Sequence, residues 1–152
     1  MSELPRRIAA HLRRFVLNRR RSRRARARLE FSLSIEDPRA RRNGFRRVPP
    51  MNGHTLDVST TGLALIVPAI RIGEHYLAGN DRRLFLRVEL PDGAVEITAI
   101  PVRYESLEED PNESGYVIGT HIESMNDTHR VRFDKYVAAL LKKQRSSSYS
   151  VE

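Results

Sequence analysis

From residue 29 the chain alternates without a miss: Leu29, Phe31, Leu33 and Ile35 are apolar, and Glu30, Ser32 and Ser34 between them are polar. That period of two is the signature of a strand with one buried face. The same reading predicts a strand ending at Val58, a sharp turn, and a second strand over 63–67. A fourth follows at 84–90, and Pro91-Asp92-Gly93 joins it as a tight turn to a fifth at 95–100. Val102-Arg103-Tyr104 continues or restarts that strand past Pro101. The sixth strand is 115–122, with Gly115 and Gly119 marking a bulge or a close approach.

The period changes to the helical one at both ends. Leu4, Ile8, Leu12, Phe15 and Val16 make an apolar stripe with Arg6, Arg7, Arg13 and Arg14 opposite. Near the far end Asn126 or Asp127 can cap a helix whose stripe is Val131, Tyr136, Val137, Leu140 and Leu141. Turn signals fill the connections: Asp37-Pro38, Asn43-Gly44, Pro49-Pro50 and Asn52-Gly53 in 36–53, and Pro111-Asn112 in an acidic loop. Residues 69–81 read as irregular. The expected fold is mainly β, a small six-stranded antiparallel β-barrel with a C-terminal α-helix and an N-terminal basic amphipathic helix. Its parts are 1–18 for that first helix, 19–125 for the barrel with an arginine loop leading in, 126–145 for the closing helix, and 146–152 for a disordered tail.

Charge changes this picture. The formal net charge is +8, yet residues 1–47 hold 16 arginines against four acids, or +12, which leaves −4 for the remaining 105 residues. All three lysines lie far away, at 135, 142 and 143. Arginine binds phosphate bidentately and stacks on flat rings, so an arginine-only run suits a ligand with phosphates and bases. The run at 19–28 has no apolar anchor and is expected to be mobile until an anion settles it. No apolar run is long enough to span a bilayer and no leader pattern is present, so a cytoplasmic location is expected, peripheral to a membrane if residues 1–18 contact one. With no cysteine there is no thiolate catalysis or cysteine-ligated metal.

The chemistry concentrates at Asp57-Val58-Ser59-Thr60-Thr61-Gly62. Alternation points Leu56 and Val58 into a core, with Asp57 and Ser59 on the opposite face. A carboxylate there offers two acceptors to paired N–H donors, and a hydroxyl beside it donates or accepts. Gly62 can take positive φ or admit a ligand closely. The same residues also suit an ordinary hairpin corner. The five histidines show no metal-ligand spacing, and no nucleophile elbow or phosphate loop is present; neither a metal nor an enzyme is expected.

An Arg-x-x-x-Arg pair just before the first strand, about thirty residues ahead of an Asp-x-Ser-x-x-Gly corner, resembles the PilZ domain, a bacterial receptor for cyclic di-GMP. The matching residues are Arg24 and Arg28, then Asp57, Ser59 and Gly62, and the likeness runs over roughly 20–143. Arg20/Arg24, Arg19/Arg23 and Arg42/Arg46 share the spacing; Arg24/Arg28 is preferred because Arg28 abuts the strand. The resemblance implies a barrel, an arginine loop that wraps the dinucleotide, no catalysis and no cofactor beyond that ligand. Arg24 and Arg28 would meet its phosphates and guanines, Asp57 would accept from guanine N1–H and N2–H, Ser59 would complete the contacts, and Arg20 and Arg23 would assist. Arg23 also precedes the first motif arginine, a position that bears on stoichiometry in the family, and favours an intercalated ligand pair. Partners beyond cyclic di-GMP are a downstream protein and, through 1–18, a second copy or a membrane surface. The competing readings are a basic RNA- or membrane-binding protein, and a degenerate barrel that docks a partner.

Overall fold

The computed structural model describes residues 23–35, 50–72, 75–77, 82–107 and 115–149, with side chains as far as 144. The expected helix in 1–18, the first part of the arginine run at 19–22, the loop at 36–49, the tip of the acidic loop and the last three residues lie outside the described residues.

The strands are β1 (Ala25–Arg26), β2 (Glu30–Ile35), β3 (Met51–Val58), β4 (Gly62–Val67), β5 (Arg71–Ile72), β6 (His75–Tyr76), β7 (Leu84–Leu90), β8 (Gly93–Ser106) and β9 (Tyr116–Ser124), followed by helix α1 (Asp127–Tyr149). Six of them close a ring in the order β3-β2-β7-β8-β9-β4, and β4 pairs back with β3. Every pairing is antiparallel. The chain is therefore mainly β, a closed six-stranded antiparallel barrel with one C-terminal helix. β5 and β6 form a separate two-stranded ribbon within the stretch expected to be irregular.

Alternation fills the interior. Phe31, Leu33 and Ile35 of β2 meet Leu84, Leu86 and Val88 of β7 across the ladder, and all six are buried. At roughly 1.5–3 kcal/mol for each large apolar side chain, this lining supplies most of the driving force for closure. α1 closes the barrel with Phe133 and Val137, both fully buried. Val131, expected in the stripe, is instead 57% exposed, because two residues turn a helix by about 200° and Phe133 takes the inward position. Asn126 caps the helix, its Oδ1 accepting from the His129 N–H at 2.8 Å. The helix runs to Tyr149 rather than stopping at 145, since 145–149 contain no glycine or proline to end it.

Two other expectations change. Asn52-Gly53 is not a turn but part of β3, opposite Ser32 and Phe31. The glycine serves a close approach, because a Cβ there would stand 2.3 Å from the Ile66 carbonyl oxygen and 2.8 Å from Phe31 Cζ. The segment 23–28, expected to be mobile, is ordered as an edge: Ala25 pairs with Val58 and Arg26 with Asp57. Arg-Ala-Arg-Ala-Arg is itself an alternation, and it buries Ala25 completely in the core. Between β1 and β2 the ladder is interrupted, and the buried Thr55 hydroxyl bridges the gap, accepting from the Leu29 N–H at 2.9 Å and donating to the Ala27 carbonyl.

Candidate functional site

β1 and β4 flank β3, and the arginine segment thereby meets the Asp-x-Ser-x-x-Gly corner. Arg26 lies opposite Asp57, and two residues earlier Arg24 donates through Nη1 to Asp57 Oδ1. Both side chains of this ion pair are 4% exposed. Arg24 Nε and Nη2 and Asp57 Oδ2 are buried with no hydrogen-bond partner, an uncommon condition for polar atoms that have given up their hydrogen bonds to water. Burial pushes the Asp57 carboxyl above its usual value, with Arg24 and then Arg26 acting against the rise. Burial likewise lowers Arg24, against the pull of Asp57. A carboxylate oxygen and guanidinium N–H groups held side by side suit a ligand that carries both N–H donors and an anion.

The way Asp57 reaches this position differs from simple alternation. β3 carries an extra residue between Thr55, opposite Leu65, and Asp57, opposite Ala64. Leu56 is that residue, and it joins an apolar cluster with Ala64, Leu107 and Val117 apart from the main core, whereas Val58 points inward as expected.

Ser59 does not stand open beside Asp57. It is fully buried, and its hydroxyl accepts from the Gly62 N–H at 3.0 Å and the Thr61 N–H at 3.3 Å. The Ser59 N–H donates to the Gly62 carbonyl at 2.9 Å. Serine thus shapes the corner. Gly62 opens β4 opposite His121; the positive-φ glycines among the described residues are Gly93 and Gly115. Arg28 is exposed and borders an open cleft of about 480 Å³ with Glu30, Asn52, His54, Arg87 and Glu89. His54 in that cleft is lowered by burial and by Arg28, with Glu30 opposing. Arg23 is exposed, and Arg20 lies outside the described residues. The structure therefore brings Arg24, Asp57, Ser59 and Gly62 together and sets Arg28 farther along β3, near His54.

Sequence reasoning missed three residues at this site. Arg26 had a signal, since the alternation places it on the same side as Arg24 and Arg28. Two contacts from α1 had none. Gln144 takes both backbone groups of Arg26, its Oε1 accepting from the N–H at 3.3 Å and its Nε2 donating to the carbonyl at 2.9 Å. Arg130 Nη1 donates to the Thr60 carbonyl at 2.8 Å. One helix thus holds both motifs. Among the described residues no cluster of acidic or histidine side chains could hold a metal ion, and no helix is long and apolar enough to cross a membrane.

The family model of the PilZ domain matches residues 18–139. No curated protein matches the sequence. Among solved structures, the fold is similar to the PilZ domain with c-di-GMP of YcgR from Escherichia coli, at a TM-score of 0.59 and 14% identity over 88% of this chain and 100% of that one. It is similar to the K. pneumonia MrkH–c-di-GMP complex, at 0.60 and 18% over 86% of this chain and 56% of that one. The Bacillus subtilis inhibitor of motility MotI/DgrA gives 0.55 and 15% over 85% and 53%. The chain thus spans all of the first and about half of each of the other two.

Proposed function

This chain belongs to the PilZ domain family, and on that premise we propose that it is a non-catalytic receptor for cyclic di-GMP whose arginine segment and Asp-x-Ser-x-x-Gly corner clamp the ligand and pass the signal to a partner protein. The observation that carries this reading is the buried Arg24–Asp57 pair with three unpartnered polar atoms. Cyclic di-GMP supplies the missing partners. A guanine offers N1–H and N2–H to the two oxygens of Asp57, and adenine has no such donor pair. Arg24, exchanged off Asp57, turns its fork to a phosphodiester or to the O6/N7 edge of a guanine. Arg28, Arg26 and Arg23 add positive charge along the same edge, and Arg20 assists from beyond the described residues. Ser59 holds the corner, so that Asp57 does not shift during the exchange.

The output follows from the contacts of α1. Moving Arg24 moves β1, and β1 is held by Gln144. The signal is therefore a change in how the arginine segment and α1 sit on the barrel, available to a protein that docks there. Enough arginines are present to hold an intercalated ligand pair.

Calorimetry with cyclic di-GMP tests the reading, on the native chain and on Asp57→Ala, at low and moderately high salt. Saturable binding of integral stoichiometry that survives salt and is lost in Asp57→Ala is expected. Weak binding that ignores Asp57 and disappears with salt would overturn it in favour of a basic RNA- or membrane-binding protein.

A further inference from the structure

Of the two register irregularities between β8 and β9, the one before Arg103 acts like the one before Asp57. In β8 an extra residue stands between Pro101, opposite Thr120, and Arg103, opposite Gly119. Leu65 and Thr120 are both buried, Leu65 in the main core and Thr120 with its hydroxyl on the Leu63 carbonyl at 2.9 Å. Strict alternation from their partners Thr55 and Pro101 would have placed Leu56 opposite Ala64 and Val102 opposite Gly119, turning Asp57 and Arg103 to the other face. The bulges reverse both. A single row across the outside of five strands now reads Arg26, Asp57, Ala64, Gly119, Arg103.

Strands lie about 4.8 Å apart, so the two charged residues stand roughly 14 Å apart at Cα across three gaps. Between them rise only a methyl group and a hydrogen, a floor against which a flat ring can lie close to backbone. Leu56, Leu107, Val117 and the partly buried Ile66 pack with Ala64 in one apolar cluster along it. Bulges that re-aim a side chain recur beside binding sites.

We infer that Arg103 is the second base-reading residue of this site, its guanidinium taking the O6/N7 edge of the guanine that Asp57 does not hold, over the Ala64–Gly119 floor. The inference rests on the receptor reading above. Cyclic di-GMP carries two identical guanines; with Asp57 on one of them and the fork of Arg24 on a phosphodiester, the second base has no reader at the Asp57 end of the row. An arginine fork is the side chain that fits O6 and N7 together. Ala64 and Gly119 are buried in this structure, so occupying the row requires side chains above it to move, as Arg24 must when it leaves Asp57.

The test is calorimetry with cyclic di-GMP and with the mixed cyclic GMP–AMP dinucleotide, on the native chain, Asp57→Ala, Arg103→Ala and Arg103→Lys. The native chain is expected to prefer cyclic di-GMP, and Asp57→Ala to lose both ligands. Arg103→Ala should weaken cyclic di-GMP by about tenfold to a hundredfold, down to the level of the mixed ligand. Arg103→Lys keeps the charge without the fork and should recover only part of the loss. Melting curves of each variant separate a loss of fold from a loss at the ligand. Native affinity in Arg103→Ala, beside a dead Asp57→Ala, overturns this inference and leaves the receptor reading standing. Equal losses for both ligands with full recovery by lysine reduce Arg103 to a charge and also overturn it. Failure of the native chain to bind cyclic di-GMP ends the receptor reading, and this inference with it.

Discussion

Asp57 and Arg24 oppose each other's burial, and the balance between them can be measured. Taking two charges out of water costs several kcal/mol per ion, and attraction repays it only where the remaining polar atoms are also satisfied. Here three are not, so the pair is a poor source of stability. Replacing both members by apolar residues, Arg24→Met with Asp57→Leu, is expected to leave stability unchanged or raised. Arg24→Met alone strands the carboxylate and should cost about 3–5 kcal/mol near neutral pH. The sign of the pH dependence follows from the raised carboxyl of Asp57. A native value above the ordinary 3.8 means that the folded state holds its proton more firmly than the unfolded chain does. The contribution is then fully present below 3.8 and lost as pH rises through the raised native value. Removing Arg24 takes away the main influence that lowers Asp57, so the single variant should lose stability more steeply with rising pH than the native chain. Urea unfolding across that window reads all three; a single variant as stable as the native protein at neutral pH would show that Asp57 is not held as a buried charge.

The element that unites the site is α1. β1 is an edge strand of two residues, too short to hold itself, and Gln144 supplies the bonds that another strand would have made to Arg26. Arg130 reaches the other motif at Thr60 from the opposite end of the helix. Gln144→Ala leaves the barrel core untouched and is expected to speed hydrogen exchange at 25–28. In the native protein cyclic di-GMP should change protection in β1 and α1 together, whereas in Gln144→Ala the change should stop at β1. Hydrogen-exchange mass spectrometry reads both, and an unchanged α1 in the native complex would remove the helix from the signal path.

At the scale of the whole molecule, charge is divided along the chain, +12 in residues 1–47 and −4 beyond. Such a field attracts any polyanion, so affinity by itself says little and its salt dependence says more. A protein held by six to ten phosphate contacts loses about three to five decades between 50 and 200 mM salt. Cyclic di-GMP has two phosphodiesters, and its binding here should fall by at most about one decade over that range. A slope as steep as that of a polyanion binder, measured by titration at stepped salt, would point to RNA. Among the described residues, the pairing of β1 with β3 sets Arg24 and Arg26 beside Asp57.

Much of this was legible along the chain because its causes are local. Period-two alternation marked β2, β7 and the start of β8, and Pro91-Asp92-Gly93 marked their hairpin, where Gly93 has a φ of 133°. The spacing of Arg24, Arg28, Asp57, Ser59 and Gly62 pointed to the family. Asn52-Gly53 misled because glycine signals a turn and a close approach alike, and only Phe31 and the Ile66 carbonyl distinguish them. What tertiary structure alone decided are the pairings between distant residues: Arg24 on Asp57, 33 positions apart, and Gln144 on Arg26, 118 apart. It also decided the bulges before Asp57 and Arg103. A one-residue slip costs nothing in local sequence pattern, yet it exchanges the two faces of a strand, so the facing of Asp57 and Arg103 is set by the neighbouring strands against which each must register.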